Sequence, residues 1–344
     1  MGDTVPVTAE WALWVRAPGA DGDRMLDCSK GVIGPDGYAT VLHRYLPGTL
    51  EALPQVIIGW LRPEGNDGFV ALAVYESISL DALPVTAPGQ PDSGVLAAGG
   101  AATQISCFFV PLAELAAGAV SYTGIRAGLG ATDLAGQRQL PIRADLPVTR
   151  PASPPADVIP LAARAAGLLL TGRPVCVTGA DDVPLDERLR FLDAVAALLP
   201  YGMRARLSAA TLTSSTYQQH RFRLFFAQAP RQRDDHVVAW PGTDPEQTGY
   251  PRTDDYVSWL LDDTALRVAT LARETAATDF DEASVQRVLA RLGVLDDEPD
   301  DAEQASPGPQ DPEPVSGTDS SRTAGRRRAT FQRSGELTGV EDLL

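Results

Sequence analysis

Leu198–Ala227 reads LLPYGMRARLSAATLTSSTYQQHRFRLFFA, and its pattern decides the kind of fold expected of this chain. A helix is expected to end at Leu199, with Pro200 and Gly202 reversing the chain after it. Two β-type runs follow, separated by the polar loop Ser214 to Gln219. In RARLSAATLT polar and apolar residues alternate until Ala209-Ala210, where the pattern slips by one. A β-bulge there keeps Ala205, Leu207 and Leu212 on one face. Phe222, Leu224 and Phe226 share that face in the second run, so the stretch predicts a bulged hairpin with an aromatic side for the core. Arg204, Arg206, Arg221 and Arg223 then point the other way. At strand spacing the two arginine pairs lie ~20 Å apart. They make two small basic spots, candidates for docking an acidic protein partner or a phosphate. A solvated face balanced by the chain's many carboxylates accounts for the same pattern without a ligand.

On both sides of this stretch the pattern is that of a mixed fold. Upstream, Leu185, Leu189, Leu192, Val195 and Leu199 recur at spacings of three and four, predicting a helix. Residues 158–170 predict another, and RPVCVTG a short buried strand. Downstream, HVVAW is a further strand, and DDYVSWLLDDTALRVATLARE a longer helix capped by Thr253 or Asp254. A last helix starts at Asp279-x-x-Glu282 and ends at Gly293. This order predicts helices on one side of a small, mostly antiparallel sheet.

The first half is β-rich with short helices. AEWALWVR opens it, and PQVIIGWLR and FVALAVYESIS flank the Gly/Asn/Asp loop of a hairpin. QISCFFV is a buried strand and PLAELAAG a short helix ended by Gly118. The proline-rich DLPVTRPASPPADVIP then stiffens the chain. The expected organisation is α+β: a β-rich domain over 1–146, a linker over 147–160, a helix/antiparallel-sheet domain over 161–294, and a disordered tail over 295–344. The tail is acidic and proline-rich, then basic, with too little apolar surface to offset the entropy of ordering.

Charge narrows the function classes. The 344 residues carry a net −16, and 296–344 hold 12 acidic and 5 basic side chains against 33 and 24 in the rest. This acidity argues against general binding to nucleic acid or anionic membrane. Lys30 is the only lysine, and its setting CSKGVIG lacks the phosphate-loop pattern. Cys28, Cys107 and Cys176 are too few and scattered for a disulfide framework or zinc site, which fits a reducing, cytoplasmic setting. No secretory signal is expected, and the longest uncharged run, Ser93 to Ala113, is broken by Gly99, Gly100, Gln104 and Pro111. No cofactor and no membrane insertion are expected.

The segment 158–273 resembles the middle domain of the bacterial GTPase-associated proteins common in actinobacteria. The resemblance rests on LDAVAALLP, the junction YGMRARLSAAT and the aromatic HRFRLFF. MLDCSKG, VIIGWL with FVALAVYES, and FFVPLAELAAGAVSYTG resemble the N-terminal domain that precedes it in that family. The family is placed by gene neighbourhood in multi-component systems with GTPases and effector modules, for defence or signalling. The resemblance implies an adaptor beside a GTPase encoded nearby, and it brings no catalytic residues.

Further candidates are weighed against plainer readings. Cys28 and His43 could be nucleophile and base, but nothing in their spacing predicts contact. His220 and His236 with Asp234 and Asp235 match no ligand spacing, so surface polar residues explain them better. Asp181 and Asp182 follow a strand end, where carboxylates can serve function, yet a helix N-terminus also favours them there. Gly124, Gly128 and Gly130 make a turn and no dinucleotide fingerprint. In the tail, RRRAT makes Thr330 a phosphorylation candidate. Leu337, Val340 and Leu344 have helical spacing suited to a partner's groove. The expectation is a non-catalytic adaptor or scaffold that binds protein; the alternative is a hydrolase or transferase with an unrecognised site.

Overall fold

The computed structural model describes residues 4–17, 22–48, 53–61, 68–79, 101–116, 120–130, 132–134, 137, 139–147, 155–204, 206–213, 222–242 and 248–295. The tail, with Thr330, Leu337, Val340 and Leu344, lies outside them, as do Ala205, Arg221, His220 and the loop 214–219.

One mixed sheet runs through the described residues. Its strands are β1 (Thr4–Arg16), β2 (Arg24–Cys28), β3 (Gln55–Leu61), β4 (Phe69–Ser79), β5 (Ala101–Pro111), β6 (Ile142–Pro147), β7 (Val175–Thr178), β8 (Ala209–Ala210), β9 (Leu224–Phe226) and β10 (His236–Ala239). The spatial order is β10-β7-β9-β8-β3-β4-β5-β1-β2, with β6 paired to β1. From β3 to β2 every pairing is antiparallel, and the expected 55–61/69–79 hairpin forms in register from Gln55↔Tyr75 to Leu61↔Phe69.

Period-two alternation buries both faces of this sheet. Val56 and Ile58, Leu72 and Val74, Phe108 and Val110, and Leu224 and Phe226 enter one core. Ile57, Ala71 and Ala73, Cys107 and Phe109, and Phe225 enter the other. Helix α1 (Gly34–Tyr45) covers the second face with Tyr38, Val41 and Leu42. Helices α2 (Leu112–Ala116), α3 (Tyr122–Leu129), α4 (Ile159–Leu169), α5 (Leu185–Ala197), α7 (Pro251–Asp262), α8 (Thr264–Leu271) and α9 (Glu282–Arg291) contribute to the first. Each fully buried aromatic, such as Trp11, Trp14 or Phe226, adds about 1.5–3 kcal/mol.

The α+β class holds, but the strands around 198–227 pair differently from the expected hairpin. Tyr201–Arg204 is a helical turn, α6, and β8 and β9 run parallel, Ala209 opposite Leu224. β7 is parallel to both β9 and β10. The strands proper are only two and three residues long, so residues 211–223 separate them. That is long enough for a crossover to the same end of the sheet, where a tight loop would have enforced antiparallel pairing. The expected antiparallel middle sheet is therefore parallel.

Nor does the sheet break at the proline-rich segment. β8 pairs with β3 of the first half through Ile57↔Ala210 and Ile58↔Ala209. Thr211 extends this seam: its N–H donates to Val56 O at 2.9 Å, and its hydroxyl accepts from Val56 N at 2.8 Å. Residues 1–295 accordingly form one compact unit.

Two helix expectations need correction as well. The long helix starts at Pro251 and divides at Asp263, whose side chain accepts from Leu266 N and caps α8. The last helix is capped by Asp281, accepting from Ser284 N, whereas Gly293 ends it with φ 66° as expected. Among the described residues no helix is long and apolar enough to cross a membrane.

Candidate functional site

The arginines of the expected basic face go to separate partners. Arg204, on α6, donates from Nε to Leu199 O at 3.2 Å and from Nη2 to Ala197 O at 2.9 Å, satisfying carbonyls that the end of α5 leaves open. Arg206 pairs with Asp279 at 3.3 Å and lies 4.0 Å over the Trp60 ring. Arg223 donates to Gly172 O and covers the Phe280 ring at 4.6 Å. The shared face presupposed a hairpin; with a helical turn at Arg204 and parallel strands after it, these side chains diverge. Arg221 lies outside the described residues.

A partly buried polar cluster sits behind Arg204. Asp193 of α5 accepts from Tyr122 N at 2.6 Å and from Thr123 N at 3.0 Å, holding the start of α3 against α5. Burial pushes its carboxyl up to about 6, against the hydrogen bonds from Thr123 and Tyr122 and the charge of Arg204. Tyr256 of α7 donates to Leu198 O at 2.7 Å. The cluster ties helices from the two halves of the sequence together.

A second polar centre surrounds Glu10. Placed in β1 between Ala9 and Trp11, its buried carboxylate accepts from Val32 N at 2.7 Å, Ile33 N at 3.2 Å and Tyr38 OH at 2.7 Å. The donors precede or belong to α1, so this is an anion site at a helix start filled by the chain's own side chain. A Cβ at Gly31 would overlap the Glu10 carboxylate, so a side chain there fits only if that carboxylate moves. Gly31→Ala is expected to drive Glu10 off its donors and cost about 2 kcal/mol. Denaturant unfolding measures this; an unchanged midpoint would mean the carboxylate is not seated on that loop.

Cys28 borders this centre but belongs to the core under α1. Burial, then the Asp27 charge, pushes its thiol up. His43 is exposed, its Nδ1 4.0 Å from Asp23, which Arg16 already engages at 2.6 Å. Burial also raises Cys107, and raises Cys176 to about 12. All three thiols are thus held in the protonated form at neutral pH.

The carboxyl ends of the parallel strands form a third locality. After β7, Gly179 (φ 76°) turns the chain through the exposed Asp181 and Asp182 into α5, whose first turn has no side-chain cap. Arg188, one turn further, donates from Nη1 to Thr211 O at 2.9 Å. Thr213 N–H donates to Phe226 O at 2.9 Å, while among the described residues its buried hydroxyl has no partner. The sequence held one signal for Arg188: it lies three residues after Leu185 and four before Leu192, on the apolar stripe.

Finally, β10 is the last strand in the sheet order. His236, Val238 and Trp240 alternate toward β7, with His236 N–H on Pro174 O and Trp240 N–H on Thr178 O at 2.9 and 2.8 Å. Val237 and Ala239 face outward, Val237 43 % exposed. His236 contacts the Thr171 hydroxyl at 2.8 Å and the Tyr250 ring edge-on; burial, then the Arg173 charge, pushes its pKa down. Asp235 accepts from Gln232 N, and His220 is outside the described residues. Among those residues no three His, Cys, Asp or Glu side chains are placed to hold a metal ion. No protein-family model matches this chain, and no curated protein sequence matches it at a significant level.

Proposed function

We propose that the chain is a non-catalytic adaptor or scaffold of a GTPase-associated system, binding a protein partner in the cytoplasm, with a GTPase encoded nearby as the first partner to test. The observation that supports this reading is the open edge of β10. It presents the outward N–H groups of Val237 and Ala239, and the side chain of Val237 beside them is exposed. An extended segment of the partner would add there as a further strand, its backbone on β10 and an apolar side chain against Val237.

Val237→Pro separates this reading from its rivals. The Val237 N–H alternates with those that bond to β7, so proline removes an outward donor and spares the ladder. The expected outcome is an intact fold with capture of the neighbouring GTPase reduced about tenfold or more. Equal capture by both forms moves the interface elsewhere. Hydrolysis or group transfer by the purified chain, lost on one substitution while the fold persists, replaces the adaptor reading.

A further inference from the structure

We propose that the carboxyl ends of β7, β9 and β8 bind a carboxylate, held by the Arg188 guanidinium and the Thr213 hydroxyl. The site is independent of the β10 edge. Arg188 is 9 % exposed and Thr213 8 %. A guanidinium has five N–H donors, yet among the described residues Arg188 engages one carbonyl, Thr211 O, and its buried Nε has no partner. Among the described residues no carboxylate lies within 4.0 Å of it, and Asp181 acts on it only from farther away. A desolvated charge without a counter-ion is costly to a fold, and an incoming anion relieves that cost.

Thr213 supplies the second orphan. Its Cα is two residues from that of Thr211, a span of ~7 Å at most, so it stands on the same short segment whose carbonyl Arg188 engages. Arg206 and Arg231 also bury an unpartnered Nε. Arg206, however, has Asp279 and the Trp60 ring, and Arg231 has the Phe225 ring. Among the described residues Arg188 has neither an acid within 4.0 Å nor a ring. The uncapped start of α5 adds backbone N–H groups one turn away, and open sheets with parallel strands bind ligands outside the strands' carboxyl ends.

The charge balance favours a planar monoanion. One guanidinium matches one carboxylate in a fork, whereas the exposed Asp181 and Asp182 repel a dianion.

The test titrates the full chain with acetate, phosphate and chloride at constant ionic strength, read by thermal unfolding and calorimetry. Acetate is expected to raise Tm saturably where chloride does not. Thr213→Val should weaken acetate about three- to tenfold. Arg188→Met should abolish the response and, without acetate, unfold at or above the wild-type temperature, because an unpaired charge has left the interior. The proposal fails if acetate gives no saturable shift, if chloride matches it, or if Arg188→Met still responds. Tighter binding of phosphate than acetate overturns the carboxylate assignment. Should Arg188→Met not fold, Thr213→Val decides: it deletes a hydroxyl with no partner, and an undiminished acetate response there sinks the site.

Discussion

Replacing Gly202 with alanine is expected to cost about 3 kcal/mol or more of folding stability, through an overlap that no side chain can relieve. Gly202 lies in α6, under the segment that joins α8 to α9. Its N–H donates to Glu274 O at 2.8 Å, and its carbonyl accepts from Thr278 N. A Cβ at this position would run into the Ala276 carbonyl and the Ala277 nitrogen, which are backbone. Relief needs the whole 274–278 segment to lift from α6, taking both hydrogen bonds with it. For a unit of this size the loss corresponds to a fall in Tm of roughly 5 °C or more. Gly22→Ala is the control: a Cβ there meets nothing within 4 Å, so it should stay within about 0.5 kcal/mol of wild type. Identical melting of Gly202→Ala and wild type would mean that 274–278 does not pack on α6.

Gly202 also illustrates what the sequence could and could not disclose. Pro200 and Gly202 are expected to reverse the chain, and the helix before them does end there. The need for glycine has another source: it has no positive φ, and what excludes a side chain is a segment more than seventy residues away. Local pattern is blind to such an approach. The same holds for the arginines. Alternation in RARLSAATLT is real but brief, and the run is spent on a helical turn, two strand residues and the Thr211 seam to β3. Longer signals were legible. The 3–4 spacing from Leu185 to Leu199 gave α5, and the runs around VIIGWL and FVALAVYES gave the central hairpin with its alternating faces.

The polar centres were the least legible part. Glu10 and Arg188 each interrupt an apolar pattern, one in AEWALWVR and the other between Leu185 and Leu189. An interruption marks a buried charge without naming what meets it. For Glu10 the partners are two backbone N–H groups and the Tyr38 hydroxyl, all more than twenty residues on; for Arg188 one is the Thr211 carbonyl, twenty-three residues on. Pairings of this kind follow from topology, and the topology here turns on parallel strands where local alternation predicts a hairpin.

Asp193 should give the fold a pH dependence of its own. Burial raises its carboxyl to about 6 in the folded chain, whereas the unfolded chain titrates near the ordinary aspartate value of about 4. Between these values the folded state keeps a proton that the unfolded state has released. The contribution is therefore complete below about pH 4, is lost as pH rises through about 6, and is constant above that. A gap of about 2 pKa units corresponds to roughly 3 kcal/mol. Asparagine mimics the protonated carboxyl, keeping an acceptor for Tyr122 N and losing the charge that the interior opposes. Unfolding free energies of wild type and Asp193→Asn, taken from pH 4 to 7, should hence diverge, with the variant gaining about 3 kcal/mol on wild type as pH rises. The comparison cancels the carboxylates the two proteins share. If the difference stays flat across that window, Asp193 is not held in a desolvated site between α3 and α5, and the polar joint that fastens the two halves of the chain lies elsewhere.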